Sequence, residues 1–276
     1  MTGIARGAHL GTIGLLSRSL PAQYVLMVFL RGGGIVRAIL SSLRVAFLSL
    51  CLLAGSAVAE TLPLPDTLIN LNSDQGARLL LESEAMDAYW PLSIQFVTQK
   101  NQAFCGVASL VMVLNALGVP APTTPEFEPF RTFTQDNVLN ERTEKIRPQA
   151  ILAHKGMTLD QFGEVLGTYA VKVDVHHAAD SSLDEFRTLA TEYLGAPDRY
   201  VIANYLRDAL GQERGGHFSP LAAYDADTDR FLILDVSRYK YPPIWVEADD
   251  LFAAMNTPDS DNDDRTRGFV LVGADL

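Results

Sequence analysis

The chain has 276 residues, 48% of them hydrophobic and 20% charged, with 20 glycines and 14 prolines. That composition is globular and excludes a disordered chain, a collagen-like fibre and a multispan membrane protein, while the length fits one large domain or two small ones. The formal net charge of −11 repels phosphate and argues against nucleic acid as a partner, and the two cysteines exclude a disulfide scaffold.

Every charge before Glu60 is positive: Arg6, Arg18, Arg31, Arg37 and Arg44. A run of apolar and small residues follows from Val45 and closes in Ser56-Ala57-Val58-Ala59. Basic flank, short apolar core and Ala-x-Ala ending form the pattern of a secretory signal peptide. The run is about fifteen residues, short of the ~20 that a spanning helix needs. Cys51 follows Leu50, which is too large for the small residue that precedes a lipidated cysteine. Met27 is an alternative start. The expected division is a targeting segment over 1–59, cleaved after Ala59, and an exported domain over 60–276. That domain holds 17 basic and 33 acidic residues, a net −16, and one cysteine, Cys105, so it forms no internal disulfide. No stable membrane insertion is expected after cleavage.

Residues 60–75 read as an extended lead-in. Leucines at helical spacing predict a helix over Gln75–Ala88, and Trp90–Thr98 alternates as a short strand does. Phe104–Leu117 is a strong helix pattern, stopped by Gly118 and Pro120. The prolines and threonines of 119–135 predict a loop. Thr158–Tyr169 and Ser182–Tyr193 read as amphipathic helices, the second with Ser181 or Ser182 as its N-cap. Beyond Pro197 the pattern changes to short β-branched and aromatic runs at Tyr200–Tyr205, Phe218–Tyr224, Arg230–Val236 and Gly268–Val272, with a hairpin turn at Asp225–Asp229. Helices first and antiparallel strands second make an α+β chain. Asp259–Asp264 reads as a solvated acidic turn, since it lacks the spacing of a calcium loop. His176 and His177 are adjacent, so on a strand they face opposite ways. They read as surface residues, and no metal-ligand set is expected.

Three short segments carry the chemistry. In Gln99-Lys100-Asn101-Gln102-Ala103-Phe104-Cys105-Gly106 the thiol opens the predicted helix, where the dipole and unpaired amides stabilise a thiolate. Gly106 allows close backbone approach, and Gln99 with the Cys105 amide can form an oxyanion hole. In Gly215-Gly216-His217-Phe218-Ser219-Pro220 a histidine opens a strand. Asp235 ends the Phe231–Leu234 strand, and the Asp225–Asp229 turn brings it beside His217. A carboxylate on one imidazole nitrogen leaves the other to face the thiol.

The order Cys, His, Asp, with a Gln ahead of the Cys, is that of papain-like thiol enzymes. The segments Phe104-Cys105-Gly106-Val107-Ala108-Ser109, Gly215–Pro220 and Asp235-Val236-Ser237-Arg238-Tyr239-Lys240-Tyr241-Pro242-Pro243-Ile244-Trp245 closely resemble phytochelatin synthases, above all the short bacterial members that consist of the catalytic domain. The resemblance covers residues 62 to 273. It implies a papain-like α+β fold and thiolate attack on the Cys–Gly bond of glutathione. Glycine leaves, and the γ-glutamylcysteinyl acyl-enzyme passes to water or to a second glutathione. Cys105 would be the nucleophile, His217 the general base and acid, Asp235 the orienting carboxylate and Gln99 the oxyanion donor. Arg238, Arg267, Gly106 and Gly216 would contact substrate. The resemblance implies no integral cofactor. Cadmium or zinc would enter as glutathione-thiolate complexes, because no cysteine follows Cys105 to build a metal-sensing half. It also implies a possible homodimer, while the signal-peptide pattern of residues 1–59 implies a periplasmic location. Two alternatives stand beside it: another exported papain-like peptidase, and a non-catalytic thiol- or metal-binding domain.

Overall fold

A seven-stranded antiparallel sheet organises residues 61–274, the part of the chain that the computed structural model describes. The expected targeting segment lies outside the described residues. The strands are β1 (Ile69–Asn70), β2 (Val171–His177), β3 (Arg199–Leu206), β4 (Gly216–Asp225), β5 (Arg230–Ile233), β6 (Ile244–Glu247) and β9 (Gly268–Ala274), in the order β1-β6-β5-β4-β3-β9-β2. Two further short strands, β7 (Pro258–Asp259) and β8 (Arg265–Thr266), pair apart from it. The four predicted β runs are all strands of this sheet. The predicted turn closes the β4–β5 hairpin, with Asp225 opposite Arg230 and the Asp225 carboxylate accepting from Thr228 N–H at 2.9 Å.

Four helices start where a side chain satisfies their free amides. Ser73 caps α1 (Asp74–Glu82), and Asn140 and Thr158 form capping boxes on α4 (Glu141–Ile146) and α6 (Leu159–Leu166). Ser182 caps α7 (Leu183–Leu194), as its sequence predicts. Helix α5 (Gln149–Lys155) follows Pro148, and α8 (Ala248–Met255) follows β6. Helix α3 (Cys105–Ala116) is the predicted strong helix. Every residue from Cys105 to Leu114 is buried, because α3 packs on β4 with helix α2 (Tyr89–Ile94) against it. Phe186 of α7 meets Phe231 and Phe269 at ring-centroid distances of 5.0 Å, closing the core on β5 and β9.

Two predicted elements differ. Trp90–Thr98 is not a strand: Tyr89–Ile94 is a helix. Pro91 falls in its first turn, where a missing N–H costs nothing, and Leu92 is buried while Trp90 and Ile94 point outward, so the apparent alternation is not a buried face. The Gln75–Ala88 helix stops at Glu82, since Ser83 turns extended and Ala85 bridges Tyr224 instead. His177 is also not a surface residue. It is buried, between the Thr266 carbonyl at 2.6 Å and Asp160 at 2.9 Å. The acidic Asp259–Asp264 turn is only partly solvated. Asp259 holds Arg267, and the buried Asn262 accepts from Leu159 N–H at 2.8 Å.

Candidate active site

Cys105 is the first residue of α3. Its helix has no side-chain N-cap and no acidic residue in the first turn, so amide dipoles there remain available to an anion. The thiol is buried, which by itself raises its pKa. Hydrogen bonding to His217, the imidazole charge, the Phe218 backbone amide and the Arg207 charge outweigh that burial, and the net shift is below the ordinary thiol value. Fast alkylation by iodoacetamide at neutral pH is therefore expected. His217→Ala should slow it by about tenfold, because the thiolate loses its principal partner. Equal rates for the two proteins would refute the coupling.

His217 is the second residue of β4, opposite Tyr205 of β3. Asp235 lies two residues beyond β5. Leu234 N–H still bonds the Pro220 carbonyl at 3.0 Å, so the chain continues alongside β4 and carries Asp235 level with Ser219, diagonal to His217 two residues along the strand. The expected neighbours meet: His217 Nε2 lies 3.0 Å from Asp235 Oδ1. This leaves Nδ1 for the thiol. The Ser219 hydroxyl, two residues along the same strand, also lies 2.9 Å from Nε2, and Val236 N–H donates to it at 3.2 Å.

Asp235 is fully buried. Burial alone would raise its pKa; the charges of His217 and Arg207 and their hydrogen bonds instead hold it at about 2. Its Oδ1 accepts from Arg207 Nη2 at 2.8 Å and from Ser237 N–H at 2.8 Å as well as from His217. Arg207 is itself only 3% exposed. Its other arm donates to Gln212 Oε1 at 2.7 Å, and its guanidinium lies over the Tyr241 ring. Sequence reasoning missed Arg207, as it missed Ser219. A lone arginine after a strand carries no signal that separates a buried pair from a surface charge.

Gln99 is brought to the same place. Its backbone N–H bonds the Val236 carbonyl at 2.9 Å, and its Oε1 accepts from Ser237 Oγ at 2.6 Å. The amide nitrogen donates to Asn101 O at 2.7 Å and to Tyr239 Oη at 3.0 Å.

A cleft of about 520 Å³ opens over these groups. Its walls include Gln99, Cys105, Arg207, Gly216, His217 and Arg267. Arg267 is buried and donates to Asp259 and, at 3.1 Å, to Asn204 Oδ1. Gly216 is required by this side chain: a Cβ there would stand 1.9 Å from Arg267 Nη2. Two expected contacts are not found. Arg238 is exposed, lies over the Phe96 ring at 4.7 Å and does not line the cleft, because the Ser237–Lys240 turn carries it outward. Gly106 does not line it either. A Cβ there would meet Met157 and Phe162 at 3.3 Å, so its small size serves helix packing. The cleft is basic: Lys155, Arg207, Arg214, Lys240 and Arg267 line it against one acid, Asp261.

A thiolate at a helix start, an imidazole on an antiparallel strand and a buried carboxylate behind it can add to a carbonyl, protonate a leaving amine and then activate a second nucleophile. On an α+β scaffold this is the layout of a papain-like thiol enzyme. Comparison with known proteins is narrower. The phytochelatin synthase family model matches residues 59–269, and the chain belongs to that family. The glutathione gamma-glutamylcysteinyltransferase 1 of Lotus japonicus is 38% identical over 216 residues, covering 76% of this chain and 41% of the relative. The glutathione gamma-glutamylcysteinyltransferase of Schizosaccharomyces pombe is 30% identical over 203 residues, covering 74% and 47%. This chain thus spans under half the length of these curated relatives. Among solved structures it is similar to the interpain A cysteine protease of Prevotella intermedia (11% identity, 69% of this chain and 93% of that one, TM-score 0.35). It is also similar to a double glycine motif protease from an AMS/PCAT transporter (13% identity, 64% and 89%, TM-score 0.29).

Proposed function

We propose that this protein is a glutathione γ-glutamylcysteinyltransferase and hydrolase. The observation that carries the reading is the Cys105–His217–Asp235 set at the floor of a cationic cleft in an otherwise acidic chain. Glutathione has two carboxylates, and Lys155 and Arg214 make no ion pair among the described residues, which leaves them available to such groups. The family membership and the names of the relatives support the same substrate.

In this reading the Cys105 thiolate adds to the carbonyl of the Cys–Gly bond, and the oxyanion is held by amide donors at the start of α3 and by Gln99. His217 gives its proton to the departing glycine nitrogen as the C–N bond breaks. The γ-glutamylcysteinyl thioester remains on Cys105. Water, or the amino group of a second glutathione, then loses a proton to His217 and attacks, giving γ-glutamylcysteine or a phytochelatin and restoring the thiol. Asp235 keeps Nε2 engaged, so that Nδ1 always faces sulfur. No cofactor enters these steps; cadmium or zinc takes part as a glutathione-thiolate complex, a form of substrate. Export to the periplasm and a homodimer belong to the same proposal, the first on the pattern of residues 1–59. Among the described residues no helix is long and apolar enough to cross a membrane.

The test is the purified protein with reduced glutathione, with and without cadmium, followed by mass spectrometry. Release of glycine with formation of γ-glutamylcysteine or its dimeric peptide is expected. No glycine from a protein whose Cys105 alkylates quickly would move the reading to another peptide substrate. No glycine and an inert Cys105 would favour a binding domain.

A further inference from the structure

The Gln99 carboxamide has no N–H left for a substrate. Its two amide hydrogens go to Asn101 O and Tyr239 Oη, and its oxygen is taken by Ser237 Oγ. The group cannot turn end for end, because Oε1 would then face the Asn101 carbonyl. The Asn101 carbonyl is itself fixed in the turn that leads into α3, where it also accepts from Phe104 N–H at 3.1 Å. Tyr239 differs from all these partners. It is 46% exposed and does not itself line the cleft that Gln99 lines, so while it engages the amide hydrogen that hydrogen is not free for a substrate. Of the two side-chain contacts, that to the buried Ser237 holds the oxygen, and that to the exposed Tyr239 is the one that occupies an amide hydrogen.

We propose that Tyr239 is a latch on the oxyanion donor: its hydroxyl holds Gln99 in an unavailable state, and each acylation must first exchange that contact for the substrate oxygen. The inference rests on the reading of the cleft as an acyl-transfer site. The exchange is favourable once charge develops, since an amide bonds an oxyanion more strongly than a neutral phenol. The contact therefore slows the step that forms the oxyanion. Tyr239 is in this sense a positioning residue, acting on substrate through Gln99.

Tyr239→Phe keeps the ring and removes the hydroxyl. Two measurements read its effect. One is the rate of glycine release from glutathione. The other needs no particular peptide: N-acetylglycinal adds to Cys105, the sulfur–carbon bond forming as the C=O π pair moves to oxygen and the thiol proton follows to that oxygen. The resulting hemithioacetal places its oxygen where the oxyanion would stand, and its affinity is read as protection of Cys105 from iodoacetamide. The variant should bind the aldehyde about two- to tenfold more tightly, and release glycine faster by a similar factor, the range of one neutral hydrogen bond. In a Gln99→Ala background the same substitution should change neither. Unaltered or weaker aldehyde binding in Tyr239→Phe, or a gain that persists without Gln99, would overturn the latch. If the wild-type protein releases no glycine, the choice of glutathione fails, and the aldehyde measurement still decides the latch.

Discussion

Replacing Cys105 by alanine is expected to lower glycine release from glutathione by about 10⁴-fold or more, to the level left by binding alone. The thiol supplies the only nucleophile among the described residues that sits at an uncapped helix start and bonds to His217. Without it, His217 and Asp235 have nothing to activate except water, and no thioester can form. Serine should do little better. A hydroxyl has a far higher pKa than a thiol, and the shift imposed by His217, Phe218 N–H and Arg207 cannot make it an alkoxide at neutral pH. The fold should persist in both variants, because Cys105 is small and its neighbours Gly106 and Ala108 are already close-packed. Kinetics beside circular dichroism check both statements. Glycine release by a folded Cys105→Ala protein at the native rate would end the proposed function.

The second large effect is expected at Arg207. Arg207→Ala removes a buried cation and leaves the Asp235 carboxylate with full burial and half its charge compensation. Breaking a buried pair on one side costs about 3–5 kcal/mol. Denaturant unfolding should show a loss of that size, and kcat should fall as well, because Asp235 then binds His217 in a changed protonation balance. The pH dependence has a definite sign. Asp235 has its folded pKa depressed to about 2 against an ordinary carboxylate value of 3.8. A depressed carboxylate contributes stability that is fully present above its unfolded pKa and is lost as pH falls through the folded value. The native protein should therefore lose this contribution only between about pH 4 and pH 2. In Arg207→Ala the folded value rises toward the ordinary one, so this acid-dependent loss should shrink, starting from a stability already lower at neutral pH. An unchanged acid transition would show that Arg207 does not hold Asp235. Arg207→Lys is the milder companion: it keeps a charge but loses the fork that reaches both Asp235 and Gln212.

The catalytic candidates were legible because their signals are local. Cys105 lies at the boundary between a polar run and an unbroken apolar helix, and that boundary is visible in ten residues. One turn, Asp225–Asp229, makes two runs antiparallel and so predicts that His217 and Asp235 are neighbours; the hairpin forms, and the two side chains meet at 3.0 Å. The resemblance to phytochelatin synthases added roles to residues that the spacing had already singled out. Arg238 shows the limit of that transfer. It stands three residues from Asp235, yet a single turn puts it over Phe96 and away from the cleft. Trp90–Thr98 shows a second limit, since alternation in a stretch of a few residues does not reveal which side meets the core.

By itself, then, the amino-acid sequence determined the α+β class, the helix that starts at Cys105, the hairpin that brings Asp235 beside His217 and the family to which the chain belongs. All of these depend on periodicity, capping and turn chemistry within short windows. Only the tertiary structure decided that Arg207 lies buried behind Asp235, that Ser219 and Ser237 brace the imidazole and the carboxamide, that Gln99 is engaged by Tyr239, and that Arg267 needs Gly216 beneath it. The reason is physical. A charged or polar side chain carries the same local signal whether it meets water or a partner far away in sequence. Which of the two it meets is settled when the strands and helices pack.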